Sequence, residues 1–211
     1  FNQRSGIFKH YTHQPGNSRS LSDPDNEIWV LYNDRQNRLW IGTDGGLNLL
    51  VRPENQVTQT AFDGSANESE HFVSFQHDPG TLQSLRHNRI QAIYQDSRSN
   101  GKRLWIGTLG GLSLMEWEHS PQEGVRFTHF QNDPHKKNSL SHNGVITIYE
   151  DSTAGVLWLG TLGGGLNRYH LETGEFTRYT SKDGLPNDIV YGILQDDEGF
   201  IWVSTNGGLS K

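Results

Sequence analysis

The chain has 211 residues, a formal net charge of −6 and no cysteine. Its acidic and basic residues are mixed along the sequence, so it lacks the basic surface that binds nucleic acid, and we expect no nucleic-acid partner. The lack of cysteine excludes disulfides, thiolate catalysis and cysteine-based zinc sites. No run reaches the roughly 18 apolar residues of a membrane-spanning helix, so we expect no direct membrane insertion by this chain.

The apolar residues are rich in aromatic side chains, with six Trp, seven Tyr and nine Phe against one Met, and this favours sheets over helices. A Trp-centred motif recurs four times, each copy with a Thr three residues after the Trp and a Gly pair beyond it. The copies are RLWIGTDGGLNLL at 38–50, RLWIGTLGGLSLM at 103–115, VLWLGTLGGGLNRY at 156–169 and FIWVSTNGGLSK at 200–211.

The predicted strands follow one order along the chain. The first element, at 8–11, is a strand of the outermost type. Each repeat then opens with an innermost strand, within the segments 26–34, 88–96, 143–151 and 188–196. The Trp lies on the second strand, and the Gly pair makes a tight turn into the third. Outermost strands follow at 72–78, 127–133 and 176–179, and the chain ends on a strand of the third type at 209–211.

Four antiparallel strands per repeat, at Trp-to-Trp spacings of 65, 53 and 44 residues, predict an all-β fold. We expect a β-propeller built of four-stranded antiparallel blades, with four repeats in this chain. Residues 1–211 are expected to form a single propeller domain or a propeller segment. The four repeated tryptophans, Trp40, Trp105, Trp158 and Trp202, are predicted to pack between blades, which excludes them from a binding site.

The sequence also bears on a surface loop and on the two ends of the predicted propeller. The longest repeat owes its length to a polar segment at 51–71, which is predicted to be a surface loop. The chain begins with a strand of the outermost type and ends with one of the third type. These two could complete one blade and close the ring as four blades, or the chain could be part of a larger ring. Because the chain starts with Phe1 rather than Met, we expect that a signal peptide or a larger N-terminal part has been removed.

The combined motif N-x-V-x-x-I-x-x-D…G-x-L-W-I-G-T-x-G-G-L-N, preceded by Asp133, Pro134 and Asn138–Ser141 in the third copy, resembles the two-component regulator propeller repeat. The resemblance covers essentially the whole chain. It implies the extracytoplasmic, periplasmic sensor domain of a membrane receptor, such as a hybrid sensor histidine kinase or a diguanylate cyclase. It also implies a ring of more than four blades and a small polar ligand, often a glycan fragment. Kinase or cyclase activity would lie outside this chain, and signalling would ordinarily require a homodimer of the parent receptor.

Two adjacent polar positions precede each innermost strand, and a ring of such groups would suit a polyhydroxylated or anionic ligand. The predicted ligand-binding residues are Asp25, Asn26, His87, Asn88, His142, Asn143, Asn187 and Asp188. The alternative is that the Asn and Asp side chains cap the turns leading into each strand. Since His87 and His142 lack the spacing of paired metal ligands, we expect no metal site and no cofactor.

Other functions remain open at this point. Asp34, Asp96, Asp151 and Asp196 form a further series that we interpret as turn residues accepting backbone hydrogen bonds. A lyase or hydrolase on a propeller scaffold would use ionisable residues that break the repeat, which are Glu70, His71, Glu116, Glu118 and His119. A protein-interaction scaffold would be anchored by exposed aromatic residues such as Trp29 or Trp117.

Overall fold

The computed structural model describes residue 3, residues 6–52 and residues 70–211. These residues form four consecutive antiparallel sheets, each ordered in space as in the sequence. Blade 1 comprises β1 (Ile28–Asn33), β2 (Leu39–Thr43), β3 (Leu47–Val51) and β4 (His71–Phe75), and blade 2 comprises β5 (Ile90–Gln95), β6 (Arg103–Thr108), β7 (Gly111–Glu116) and β8 (Arg126–Phe130). Blade 3 comprises β9 (Val145–Asp151), β10 (Val156–Thr161), β11 (Leu166–His170) and β12 (Phe176–Tyr179), and blade 4 comprises β13 (Val190–Gln195), β14 (Ile201–Thr205) and β15 (Gly208–Ser210).

The prediction of an all-β propeller built of antiparallel blades is confirmed. Blades 1 to 3 have the expected four strands, and blade 4 has three within the described residues. The polar segment predicted as a surface loop at 51–71 lies outside the described residues except at its two ends. A single short 3-10 helix, Ser181–Asp183, interrupts the sheets in the part of the chain that the structure describes.

The outermost strand predicted at 8–11 is not formed. A strand needs a neighbour to satisfy its backbone groups, and within the described residues no third strand lies beside this segment. The segment is held by side chains instead. The Tyr11 hydroxyl donates to Glu70 Oε2 over 2.6 Å, and its ring meets Phe72 edge-on with centroids 5.5 Å apart.

Packing between blades centres on the repeated tryptophans. Trp40 and Trp105 are buried. Trp40 contacts Trp117 of blade 2, with ring centroids 6.0 Å apart, and Trp105 contacts Tyr169 of blade 3 at 5.5 Å. Trp158 and Trp202 are only partly buried, because blade 4 has no fourth strand, and no further blade follows it, among the described residues. The predicted packing role therefore holds fully for the first two tryptophans and in part for the last two.

Glycine in the second strand allows the blades to approach one another. A Cβ atom on Gly107 would lie 2.6 Å from the Val145 carbonyl oxygen of blade 3, and one on Gly160 would lie 2.6 Å from the Val190 carbonyl oxygen of blade 4. Real Cβ atoms do not come so close to backbone atoms. The G of the repeated W-x-G-T motif is therefore a packing residue, and its counterpart in blade 4 is Ser204.

The four blades follow one another in chain order. The innermost strands contact one another in chain order, β1 with β5, β5 with β9, and β9 with β13. Ile93 of β5 is buried against blade 1, whereas its counterpart Leu31 in β1 is 64% exposed. Leu194, on the opposite face of blade 4, is also 64% exposed. Both end faces of the four-blade array therefore carry exposed apolar side chains, and closure as four blades or a place within a larger ring stays a prediction.

Candidate functional site

The loops that precede the innermost strands meet the Gly-pair turns at one end of the blades, which we call the entry end. In blade 3 the Leu162 amide of the Gly-pair turn donates to the Gly144 carbonyl over 2.9 Å. Gly163 and Gly165 of the same turn donate to the Asp188 carbonyl, at 3.1 and 2.8 Å, and so join blade 3 to the loop of blade 4. All eight residues of the predicted ligand ring lie in these loops.

The second residue of each predicted pair is bound to the scaffold. In every repeat its side-chain Oδ1 accepts a hydrogen bond from a backbone N–H just beyond the outer strand of the preceding repeat, or, for Asn26, just beyond the segment 8–11. These bonds are His13 N–H to Asn26 at 2.6 Å, His77 N–H to Asn88 at 2.6 Å, Asn132 N–H to Asn143 at 2.7 Å and Ser181 N–H to Asp188 at 2.6 Å. The geometry shows a capping role, and a ligand-binding role for these four residues stays a prediction.

The first residue of each pair accepts a backbone hydrogen bond within its own loop, and in blade 1 a different residue does so. His87 Nδ1, His142 Nδ1 and Asn187 Oδ1 each accept the backbone N–H two residues ahead, at 2.9, 3.0 and 2.9 Å. In blade 1 the loop is two residues longer, and the buried Asp23 accepts the Glu27 N–H over 2.6 Å. Asp23, rather than the exposed Asp25, therefore holds the position of His87. The insertion of Pro24 and Asp25 was the sequence signal for this shift.

The series of aspartates at the ends of the innermost strands closes turns, as predicted, and it also binds the repeated tryptophans. Asp34, Asp96 and Asp196 accept the indole N–H of Trp40, Trp105 and Trp202 at 2.8, 3.4 and 2.7 Å. Asp151 instead accepts the Ala154 N–H over 2.8 Å, and the Trp158 indole nitrogen has no hydrogen-bond partner among the described residues. These carboxylates stabilise the scaffold.

The ionisable residues of the enzyme hypothesis lie in two separate places. Glu70 is bound by Lys9 and Tyr11; burial alone would raise the pKa of Glu70, but these hydrogen bonds outweigh it and lower the pKa below its usual value. His71 accepts a bond from Arg19 Nη2 at 2.8 Å. Glu116, Glu118 and His119 line a different cavity, of about 790 Å³, on blade 2. The two sets do not form one catalytic constellation.

A β-bulge in each innermost strand places one residue at the entry end. The register shifts between Ile28 and Val30 in β1, and equivalent shifts occur in β5 and β13 and near the start of β9. A bulge redirects a side chain out of the regular alternation. The bulge residues of the four blades are Trp29, Gln91, Ile146 and Tyr191. Trp29 and Tyr191 are 45% and 53% exposed, and the Gln91 amide nitrogen is buried with no hydrogen-bond partner in the described part of the chain.

Trp29 belongs to a three-residue cluster that joins blades 1 and 2. Its indole N–H donates to Asp44 Oδ1 over 2.6 Å. Arg89 Nε lies 3.1 Å from the same oxygen, and the Arg89 guanidinium lies over the indole ring, 4.3 Å from its centroid. Asp44 opens the Gly-pair turn of blade 1, and Arg89 directly precedes β5. No other blade carries this combination of residues.

His87 lies within the electrostatic reach of this cluster. Burial lowers the pKa of His87, the positive fields of His77 and Arg89 lower it further, and Asp44 partly opposes them. Because its Nδ1 accepts the Arg89 N–H, the neutral ring carries its proton on Nε2. Of the predicted ligand ring, His87 is thus a member that is bonded to the Arg89 backbone and feels the charges of Asp44 and Arg89. The sequence did not identify Asp44 or Arg89, and it named Trp29 only as an interaction anchor. Trp117, the other proposed anchor, is buried.

Within residues 6–52 and 70–211, no three His, Cys, Asp or Glu side chains come together as metal ligands would. Over the same residues, no helix has the length and apolar composition needed to cross a membrane.

Comparison with known proteins points to one family. The family model of the two component regulator propeller matches residues 22–45 and 184–207. The chain is 29% identical over 144 residues to Histidine kinase P4 of Formosa agariphila. The aligned residues cover 68% of this chain and 10% of that protein. The chain therefore spans about a tenth of the length of this curated relative.

Solved structures share the fold. One is described as the extracellular domain of the hybrid two component system BT3049 from B. thetaiotaomicron, with a TM-score of 0.67 and 24% identity over 88% of this chain and 23% of that one. Virginiamycin B lyase from Staphylococcus aureus matches with a TM-score of 0.54 and 14% identity over 90% of this chain and 57% of the lyase. At these identities the likeness concerns the propeller fold alone. The repeat motif, the blade architecture and the two matched segments agree, and they confirm that the chain resembles the two component regulator propeller repeat.

Proposed function

We propose that this chain is the ligand-sensing propeller of a membrane-bound two-component receptor, exposed in the periplasm, and that it binds a small polar ligand such as an oligosaccharide at the entry end. One observation carries the proposal. The scaffold residues recur from blade to blade, whereas the bulge positions at the entry end carry four different residue types, Trp29, Gln91, Ile146 and Tyr191. In a repeat protein, a specific site is built where the copies differ.

The chemistry of the entry end favours binding over catalysis. It offers an exposed indole, a carboxylate, a guanidinium and an imidazole, which together can orient a polar molecule through hydrogen bonds and stacking. Nucleophilic catalysis would need a nucleophile within hydrogen-bond reach of a base. The Asp44 carboxylate accepts the Trp29 indole N–H and lies beside Arg89, and neither of these partners is a nucleophile that a base could activate.

The experiment is a ligand screen read by thermal unfolding of the full chain. A ligand that binds only the folded state at 100 times its Kd should stabilise that state by about 2.7 kcal/mol, which gives a clear rise in Tm. The panel should contain neutral oligosaccharides, uronic-acid oligosaccharides, amino acids and nucleosides. The proposal predicts that at least one saccharide raises Tm and leaves the reaction mixture chemically unchanged. Turnover of the saccharide, or no stabilisation by any member of the panel, would contradict it.

A further inference from the structure

We infer that the cluster of Trp29, Asp44 and Arg89, with His87 beside it, is a binding site for an electrically neutral sugar ring. This inference rests on the proposed sensing function and narrows it to one place and one class of ligand. Four structural properties support it: the exposed indole, the fixed orientation of that indole, the available hydrogen-bonding groups and the balance of charge.

The indole of Trp29 provides an apolar platform. Trp29 is 45% exposed although Trp is usually highly buried, and it lies on a bulge at the entry end. The Arg89 guanidinium lies over the ring at 4.3 Å. The exposed remainder of the indole can cover the C–H face of a sugar ring, which is the flat, weakly polar side of an otherwise hydrophilic molecule.

The orientation of the platform is fixed before any ligand arrives. The hydrogen bond from the indole to Asp44 Oδ1 is 2.6 Å long, and Arg89 Nε lies 3.1 Å from that same oxygen. A side chain held in this way loses little conformational entropy on binding, which improves affinity. The cluster also spans the boundary between blades 1 and 2, so a ligand seated there would contact both blades.

Groups of both polarities surround the platform. A carboxylate can accept about four hydrogen bonds and a guanidinium can donate five, so Asp44 and Arg89 keep capacity beyond their mutual contact. The exposed His87 ring, whose Nδ1 is occupied by the Arg89 N–H, presents Nε2 as a donor in its neutral form. Vicinal hydroxyl groups, each both donor and acceptor, match such an alternation of donors and acceptors.

The charge around the platform disfavours an acidic sugar. The charges of Asp44 and Arg89 cancel, and the lowered pKa of His87 keeps that ring uncharged near neutral pH. Asp25 and Glu27 are exposed in the loop that leads into β1 and Trp29, and they add negative potential. A carboxylate or sulfate on the ligand would be repelled by the negative potential of Asp25 and Glu27.

The test is isothermal titration of the full chain with neutral trisaccharides of glucose, galactose, mannose, xylose and arabinose, and with the trisaccharides of galacturonic and glucuronic acid. At least one neutral trisaccharide should bind more tightly than either uronic-acid trisaccharide. Trp29→Ala should weaken that binding at least tenfold without lowering Tm by more than a few degrees, because Trp29 is exposed. Asp44→Asn should shift the preference toward the uronic acids.

The matched control is Tyr191→Ala, which removes an aromatic side chain from the equivalent bulge of blade 4 and should change the affinity less than twofold. Binding of acidic ligands alone, or binding that survives Trp29→Ala and is lost in Tyr191→Ala, would overturn this inference and leave the sensing function intact. If no member of the panel described for the proposed function binds, both the inference and the function are wrong.

Discussion

The indole nitrogen of Trp40 donates a hydrogen bond to Asp34 Oδ2 over 2.8 Å, and both side chains are buried. The same carboxylate accepts bonds from Arg38 Nε at 2.6 Å and from the backbone N–H groups of Gln36 and Arg38 at 3.0 and 2.9 Å. Asp34 thus ends β1, closes the turn into β2 and orients the tryptophan that packs against blade 2. Turn geometry and packing between blades are coupled through one side chain.

Replacing Asp34 by Ala should therefore destabilise the fold strongly. The change leaves a buried indole N–H, two backbone N–H groups and the Arg38 guanidinium without their acceptor, and a loss of about 3 kcal/mol is expected. The measurement is urea-induced unfolding followed by Trp fluorescence. Asp151→Ala is the matched control, because Asp151 holds the same position in blade 3 and is not bound by an indole; its cost should be about 1 kcal/mol. Equal losses in the two variants would disprove the coupling.

A second prediction concerns Gly107 and the contact between blades 2 and 3. A methyl group there would overlap the Val145 carbonyl oxygen, a backbone atom that cannot move without shifting blade 3. Gly107→Ala should cost at least about 2 kcal/mol in the same urea experiment. In the control Gly80→Ala, the nearest atom to the new methyl is the Asp78 carboxylate at 3.1 Å, the end of a flexible side chain. A cost below about 1 kcal/mol for Gly107→Ala would mean that the blades are less tightly packed than described.

Trp158 should tolerate a substitution that Trp40 does not. Its indole nitrogen is buried without a hydrogen-bond partner in the described residues, so Trp158→Phe removes an unsatisfied donor along with some apolar area. These effects oppose each other, and the free energy of unfolding should change by less than about 1 kcal/mol. Trp40→Phe loses a satisfied bond to Asp34 and should cost about 2 kcal/mol. A larger loss for Trp158→Phe than for Trp40→Phe would contradict this comparison.

Much of the fold could be predicted because its determinants are local and repeated. The Trp, Gly and Asp positions carry the same role in several blades, so their alternation and spacing revealed strands, turns and packing. The strand predicted at 8–11 was wrong because the segment has the sequence pattern of a strand, while the described residues supply no third strand to pair with it. Local pattern cannot reveal a missing neighbour.

The candidate site was harder to predict because its residues occur once and are distant in sequence. Trp29, Asp44 and Arg89 come together only when a bulge, a turn and the next blade are in place. The repeated Asn positions were predicted to bind ligand because they recur in the blades. Recurrence instead marks scaffold residues, as the bond from the His77 N–H to Asn88 shows. Asp23 was missed because a two-residue insertion shifts the register of the first loop.

The lowered pKa of His87 gives a pH-dependent prediction that also tests its place in the site. An unfolded His titrates near 6.5, and the folded state resists protonation because burial and the fields of His77 and Arg89 outweigh that of Asp44. The unfolded chain therefore binds the proton more readily, so stability should fall as pH drops through 6.5 and level off once the pH is below the folded-state pKa.

His87→Asn should remove this contribution while keeping the local fold, because Asn187 performs the same backbone capping in blade 4, accepting the Ile189 N–H at 2.9 Å. The measurement is the free energy of unfolding in urea at pH 7.5 and pH 5 for both proteins. The native chain should lose more stability between the two values than the variant, and NMR titration of the ring should place the His87 pKa below 6.5. An identical pH dependence in the two proteins would show that His87 is solvated like an unfolded His. Its ring would then be protonated at pH 5, and Nδ1 could no longer accept the Arg89 N–H.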